Sequence, residues 1–171
     1  MKKSILSLIL LLGFTMSVCA QKIVLIDTEY ILKNIPAYSK ATAQLEQNSQ
    51  KWQNEVQTLS NEAKTMYTSY QNKMSRLSDA QKKVQEDAIV AKEKSAADLK
   101  RKYFGPDGEL AKLRQNLIKP IQDQIYNAAK ALSERYGYSI VVDRASASSI
   151  IFASPSIDIS EDVLAKMGYS K

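Results

Sequence analysis

Apolar residues recur every three or four positions from Leu45 to Leu77, and this spacing predicts one long amphipathic helix. The stripe runs Leu45, Ser49, Trp52, Val56, Leu59, Ala63, Met66, Tyr70, Lys73 and Leu77. Its regular alternation of four- and three-residue steps defines a heptad seam rather than a broad core-facing side. A seam this narrow needs a partner helix. Ser78-Asp79-Ala80-Gln81 has the form of a capping box, in which Ser78 caps a new helix and Gln81 reaches back. The tip of an antiparallel hairpin is therefore expected near Ser78. The alternative is one continuous helix through Ser78, because no Gly or Pro enforces a turn there.

The return leg is sparser in apolar groups, with Val84, Ala88, Ala91, Leu99 and Tyr103. Gly105-Pro106-Asp107-Gly108 breaks or kinks it, and the pattern resumes with Leu110, Leu113, Leu117, Ile121, Ile125, Ala128 and Leu132. Pro120 inside that stretch predicts a bend, and Gly137 a C-cap. Strand-like composition flanks the helical region: Ile23-Val24-Leu25-Ile26 before it, Ile140-Val141-Val142 and Ile150-Ile151-Phe152 after it. The last two segments predict a hairpin or meander. Thr28 is placed as the cap of a brief helical turn through Leu32, and Pro36 ends that segment. Ser160, with Glu161 and Asp162 behind it, is placed as the cap of a final short helix through Met167.

These elements predict an α+β fold, predominantly α. A small β-sheet body, residues 21–38 and 105–171, carries a long protruding antiparallel helical hairpin, residues 39–104, with its tip near 78. At about 1.5 Å per residue the leg from Tyr38 to Leu77 extends roughly 60 Å, far beyond a compact body.

Residues 1–20 read as a cleavable export signal. Lys2 and Lys3 form a positive start, and Ile5 to Phe14 is an aliphatic run too short to span a bilayer. Val18-Cys19-Ala20 supplies a small residue for cleavage, with Gln21 as the mature start. Lipidation at Cys19 is disfavoured by the bulk of Val18 before it. Export places the protein in the periplasm.

Cleavage removes the one cysteine, and the chain has no histidine. The mature protein thus lacks a thiol nucleophile, a disulfide and the commonest general base and metal ligand. No phosphate-cradling loop is present, and no cofactor is expected. Asp27, Glu29, Asp143 and Asp158 are the only carboxylates worth weighing as a catalytic set, and each flanks a strand or helix start, where capping is the plainer role.

The net charge of +6 falls to +4 without Lys2 and Lys3. Between Ser39 and Phe104 twelve basic residues face eight acidic ones, so the hairpin carries the whole excess. Near the tip, Lys64, Lys73, Arg76, Lys82 and Lys83 face only Asp79. Any one of these lysines is an ordinary solvated residue; their clustering favours anionic partners, including anionic lipid or lipopolysaccharide. Export argues against nucleic acid. Tyr67 and Met74 lie one position off the seam on a common face, either as extra packing against the return leg or as apolar patches open to a partner. With Tyr70, these residues form the candidate binding surface.

Val24 to Pro36 (Val-Leu-Ile-Asp-Thr-Glu-Tyr-Ile-Leu-Lys-Asn-Ile-Pro), Ile140-Val141-Val142-Asp143 and Asp158-Ile159-Ser160-Glu161-Asp162-Val163-Leu164 occur in the order and spacing seen in one family. The chain resembles the Skp (OmpH-like) periplasmic chaperones over nearly all of its mature length. The Gly105–Gly108 break and Pro120 depart from the smoother return helix of the best-known members. The resemblance implies a homotrimer whose arms enclose unfolded outer-membrane proteins without ATP. Trimerisation then falls to Ile23, Val24, Leu25, Ile26, Ile140, Val141, Val142, Ile150, Ile151 and Phe152. Unpaired strand edges and a shortage of core per chain favour assembly independently. The competing reading is a coiled-coil spacer or adaptor of the envelope, which calls for large apolar residues along both legs.

Overall fold

The computed structural model describes residues 22–147 and 149–169. Strand β1 (Lys22–Ile26) leads into helix α1 (Thr28–Lys33), and the long helix α2 (Pro36–Lys73) follows. A single 3₁₀ turn at Met74–Arg76 reverses the chain into α3 (Asp79–Phe104). Helix α4 (Glu109–Tyr136), strand β2 (Tyr138–Asp143), a 3₁₀ turn at Pro155–Ile157 and helix α5 (Ser160–Lys166) complete it. The fold is α+β and predominantly α: a long helical hairpin stands on a small two-stranded sheet. The proposed export signal and its cleavage after Ala20 lie outside the described residues.

Every seam residue from Leu45 to Tyr70 on α2 is buried or half-buried. The tip forms where the sequence placed it. Ser78 Oγ accepts from the Gln81 amide at 3.3 Å, and Gln81 Oε1 accepts from the Ser78 amide at 2.9 Å. These reciprocal bonds satisfy amides that the start of α3 would otherwise leave open, so the helix begins afresh and a continuous helix through Ser78 is overturned.

Towards the tip the return leg packs in a register different from the one expected, while Leu99 and Tyr103 face inward as expected. Val84 is 69% exposed, and Ala88 and Ala91 face solvent. The inward positions are Lys82, Gln85, Ile89, Lys92, Ala96, Leu99 and Tyr103, which alternate three- and four-residue steps back from Tyr103. Three of the seven are polar, and that hides the stripe from a search for large apolar groups. At Gly105–Gly108 the leg breaks into two helices. A Cβ at Gly108 would sit 2.8 Å from the Tyr103 carbonyl, so the turn closes too tightly for any side chain. Helix α4 runs on through Pro120, whose neighbourhood is exposed and lets water take the carbonyl left without a partner. Gly137 ends α4 with φ 71°, as expected of a left-handed cap.

The sheet corrects a second expectation. β1 and β2 pair in parallel, with Val24 beside Val141 and Leu25 beside Val142. Ile150-Ile151-Phe152 forms no strand, because its side of β1 is taken by Asp158, bridged to Leu25. The Ile159 amide donates there to the Leu25 carbonyl at 2.9 Å. Apolar composition signalled a need for burial in Ile150–Phe152, yet among the described residues the segment pairs with no strand. The core lies on one face of the sheet, where Val24, Ile26, Ile31 and Ile35 pack against Ile121, Ile125, Leu132, Val163 and Leu164.

Candidate functional site

At the base of the hairpin Trp52 stacks on Tyr103 with ring centroids 5.0 Å apart and planes 11° from parallel. The Tyr103 hydroxyl donates to Glu55 at 2.5 Å, one turn along α2. In the middle, Lys92 reaches across to Glu62 at 2.9 Å. Towards the tip, the Tyr70 hydroxyl donates to Glu86. Polar ties at three levels thus supplement a seam that narrows to alanine at Ala63 and Ala96.

Among the residues proposed to bind a partner, Lys64, Lys73, Arg76 and Lys83 are exposed and make no ion pair among the described residues. Tyr67 and Met74 are about half exposed. Two expectations change. Tyr70 is 6% exposed and held by Glu86, so it is seam rather than surface. Lys82 leans over its own helix start and pairs with Asp79 at 3.2 Å.

The hydrogen bonds to glutamate, aided by burial, raise the pKa of Tyr70, Tyr103 and Tyr30, the last bonded to Glu161. A tyrosine raised in the fold contributes stability that is complete below its unfolded pKa, about 10, and lost as pH climbs through the raised value. In a tyrosinate absorbance titration these three of the nine tyrosines should ionise last, together with loss of helix. A single transition of all nine at the ordinary value rules this out.

At the other end of the molecule, the strand residues divide. Val24, Leu25 and Ile26 are buried within the chain, and Val141 packs against the core that holds Val24 and Ile26. The pairing puts Ile23, Ile140 and Val142 on the opposite face of the sheet, where Ile23 and Ile140 are about half exposed. Ile150 is half-buried, Ile151 is fully exposed and Phe152 is 85% exposed. The outer edge of β2 has no partner among the described residues.

The carboxylates weighed for catalysis, Glu29 apart, are engaged at the ends of β1, β2 and α5. Asp27, not Thr28, caps α1: it accepts from the Tyr30 amide, and that bond, with Arg144 beside it, outweighs burial and lowers its pKa. Thr28 instead donates its hydroxyl to Asp143 at 2.7 Å and its amide at 3.1 Å. Burial pushes Asp143 up, but the Thr28 bonds prevail and hold it low. Ser160 is the first residue of the last helix rather than its cap: Ile159 holds the cap position with no side-chain bond, and Asp158 accepts from the Ser160 amide at 2.9 Å. The buried Ser160 hydroxyl bridges Asp158 to the Asp27 amide. Arg144, which the sequence did not single out, joins Asp27 at 3.0 Å and Asp158 at 3.2 Å. Glu29 points to solvent with Lys33 at 3.5 Å.

This small paired sheet with its long hairpin has known counterparts. The OmpH-like outer membrane protein family matches residues 22–167. The chain belongs to that family. The chaperone protein Skp of Yersinia enterocolitica is 27% identical to this OmpH-like chain over 160 residues, which span 92% of this chain and 93% of Skp. A solved structure described as an OmpH-like outer membrane chaperone, from Caulobacter crescentus, has the same fold. Its TM-score is 0.67 at 13% identity, covering 87% of this chain and 85% of that one. The family is one of chaperones rather than enzymes.

Proposed function

We propose that this protein is an ATP-independent holdase of the periplasm, exported by a signal cleaved after Ala20, that keeps unfolded outer-membrane proteins soluble. Residues 39–104 act as the arm, and residues 21–38 with 105–171 as the body of a homotrimer. The observation that carries the reading is the long hairpin, with its uncompensated cations, on a chain matched by the OmpH-like family over residues 22–167. Lys64, Lys73, Arg76 and Lys83 draw in an acidic chain, while Tyr67 and Met74 supply dispersed apolar contacts that hold it without fixing its conformation. Assembly covers Ile23, Ile140, Ile151 and Phe152, an apolar surface that a lone chain leaves in water.

The test is dilution of a urea-unfolded β-barrel membrane protein into buffer without nucleotide. Stoichiometric chaperone should suppress turbidity, and added ATP should change nothing. Turbidity equal to that of the client alone would sink the holdase reading.

A further inference from the structure

Ala63 and Ala96, one on each leg, are the small buried residues of the hairpin seam. On one side the helices leave an open groove of about 420 Å³. Its floor is Val56, Ala63 and Ala96, and its rim carries Lys64, Tyr67 and Lys100. The opposite face has a separate groove of about 370 Å³ beside Met66, Ala88 and Ile89, with no charged residue in its lining.

We infer that the Lys64–Tyr67–Lys100 groove is the arm's docking site for a single large apolar side chain with a carboxylate next to it in sequence, presented by an unfolded polypeptide. The inference rests on the client-binding reading above and assigns that reading to one face of the arm. Charge selects the occupant. Lys64 and Lys100 form no ion pair among the described residues, and Glu93 is the single acid in the lining, so the rim is net cationic. The alanine floor admits an aromatic or branched side chain, and Tyr67, 48% exposed, offers a ring face along one wall. A carboxylate beside that side chain then lies within reach of either lysine. One such contact is weak, and several arms or grooves engaging one chain would raise its retention without fixing a structure.

The probe is a fluorescent disordered peptide built of Ser, Gly, Phe and Asp, with versions carrying Ser for Phe or Asn for Asp. Ala97→Phe puts a ring into this groove from an exposed position, and Ala88→Phe does the same to the opposite one. Ala97→Phe should weaken peptide binding about tenfold, the loss expected for about half the burial of one large apolar side chain. Ala88→Phe should bind as wild type does, and both altered peptides should bind less well to the wild type. Equal binding by Ala97→Phe and wild type, an equal loss in Ala88→Phe, or no binding by wild type overturns the inference. If Ala97→Phe misfolds, Lys64→Gln with Lys100→Gln decides it. That pair must lose its preference for the Asp peptide over the Asn peptide while the melting curve stays unchanged. A wild type that suppresses client aggregation while Ala97→Phe does so equally well removes the groove and leaves the holdase reading standing. A wild type that binds the peptide and suppresses nothing does the reverse.

Discussion

A chain carrying Ile140→Asp and Ile151→Asp is expected to sediment as a folded monomer, where the wild type sediments as a homotrimer. The two positions are 47% and 100% exposed in the single chain, so neither contributes to its own core. That core is built from Ile31, Ile35, Val163 and Leu164, which are at most 2% exposed and lie away from both substitutions. Helical circular dichroism should therefore persist. In an assembly each aspartate is buried without a partner, at about 3 kcal/mol or more apiece. Two per subunit, repeated around a threefold axis, exceed what an assembly of short strands can absorb. Val141→Asp is the poorer experiment, because Val141 packs against the chain's own core and its loss confounds folding with assembly. Sedimentation of the double variant at the wild-type rate would remove this face from the interface, and a wild type that stays monomeric would remove the trimer.

Legibility in the sequence followed the strength of local signals. The outgoing leg was plain, because an unbroken heptad alternation of mostly apolar residues has one helical reading. The tip was plain for another local reason: Ser78 and Gln81 bond each other's backbone within a single turn. Towards the tip the return leg was misread because its inward face includes Lys82, Gln85 and Lys92, whose long stems pack while their heads reach out. Stepping back from Tyr103 by alternate fours and threes recovers Ile89 and Ala96, so the signal was present in spacing rather than in hydrophobicity. The cross-leg partners Tyr70–Glu86 and Tyr103–Glu55 are 16 and 48 residues apart, and no sequence period encodes them.

Ile150–Phe152 illustrates a different limit. Its apolar composition favours burial, and it is silent on whether the cover comes from the same chain. The exposed Ile151 and Phe152 are the residue of that ambiguity, and they turn a misassigned strand into the best candidate surface for another copy. Arg144 was invisible for a related reason. One arginine after a strand is unremarkable until the fold brings Asp27 and Asp158 to it from 117 residues before and 14 residues after.

Reversing Lys73, Arg76 and Lys83 together to glutamate should slow capture of an acidic unfolded client by about tenfold or more at low salt. The three residues are exposed and lie on both sides of the tip turn. Lys82 is left in place because it already pairs with Asp79, and removing it would disturb the start of α3 as well as the charge. The change takes residues 39–104 from an excess of four positive charges to an excess of two negative ones. Long-range attraction then becomes repulsion, and screening by salt, which weakens capture by the wild type, should speed capture by the variant. The sign of the salt dependence is the decisive readout, since a merely damaged protein would lose rate without inverting it. Assembly mass should not move, because the substituted turn lies roughly 50 Å along α2 from the sheet at 1.5 Å per residue. Stopped-flow association across a salt series measures all of this. Rates and slopes unchanged from wild type would take the tip charges out of the mechanism and leave capture to apolar contacts alone.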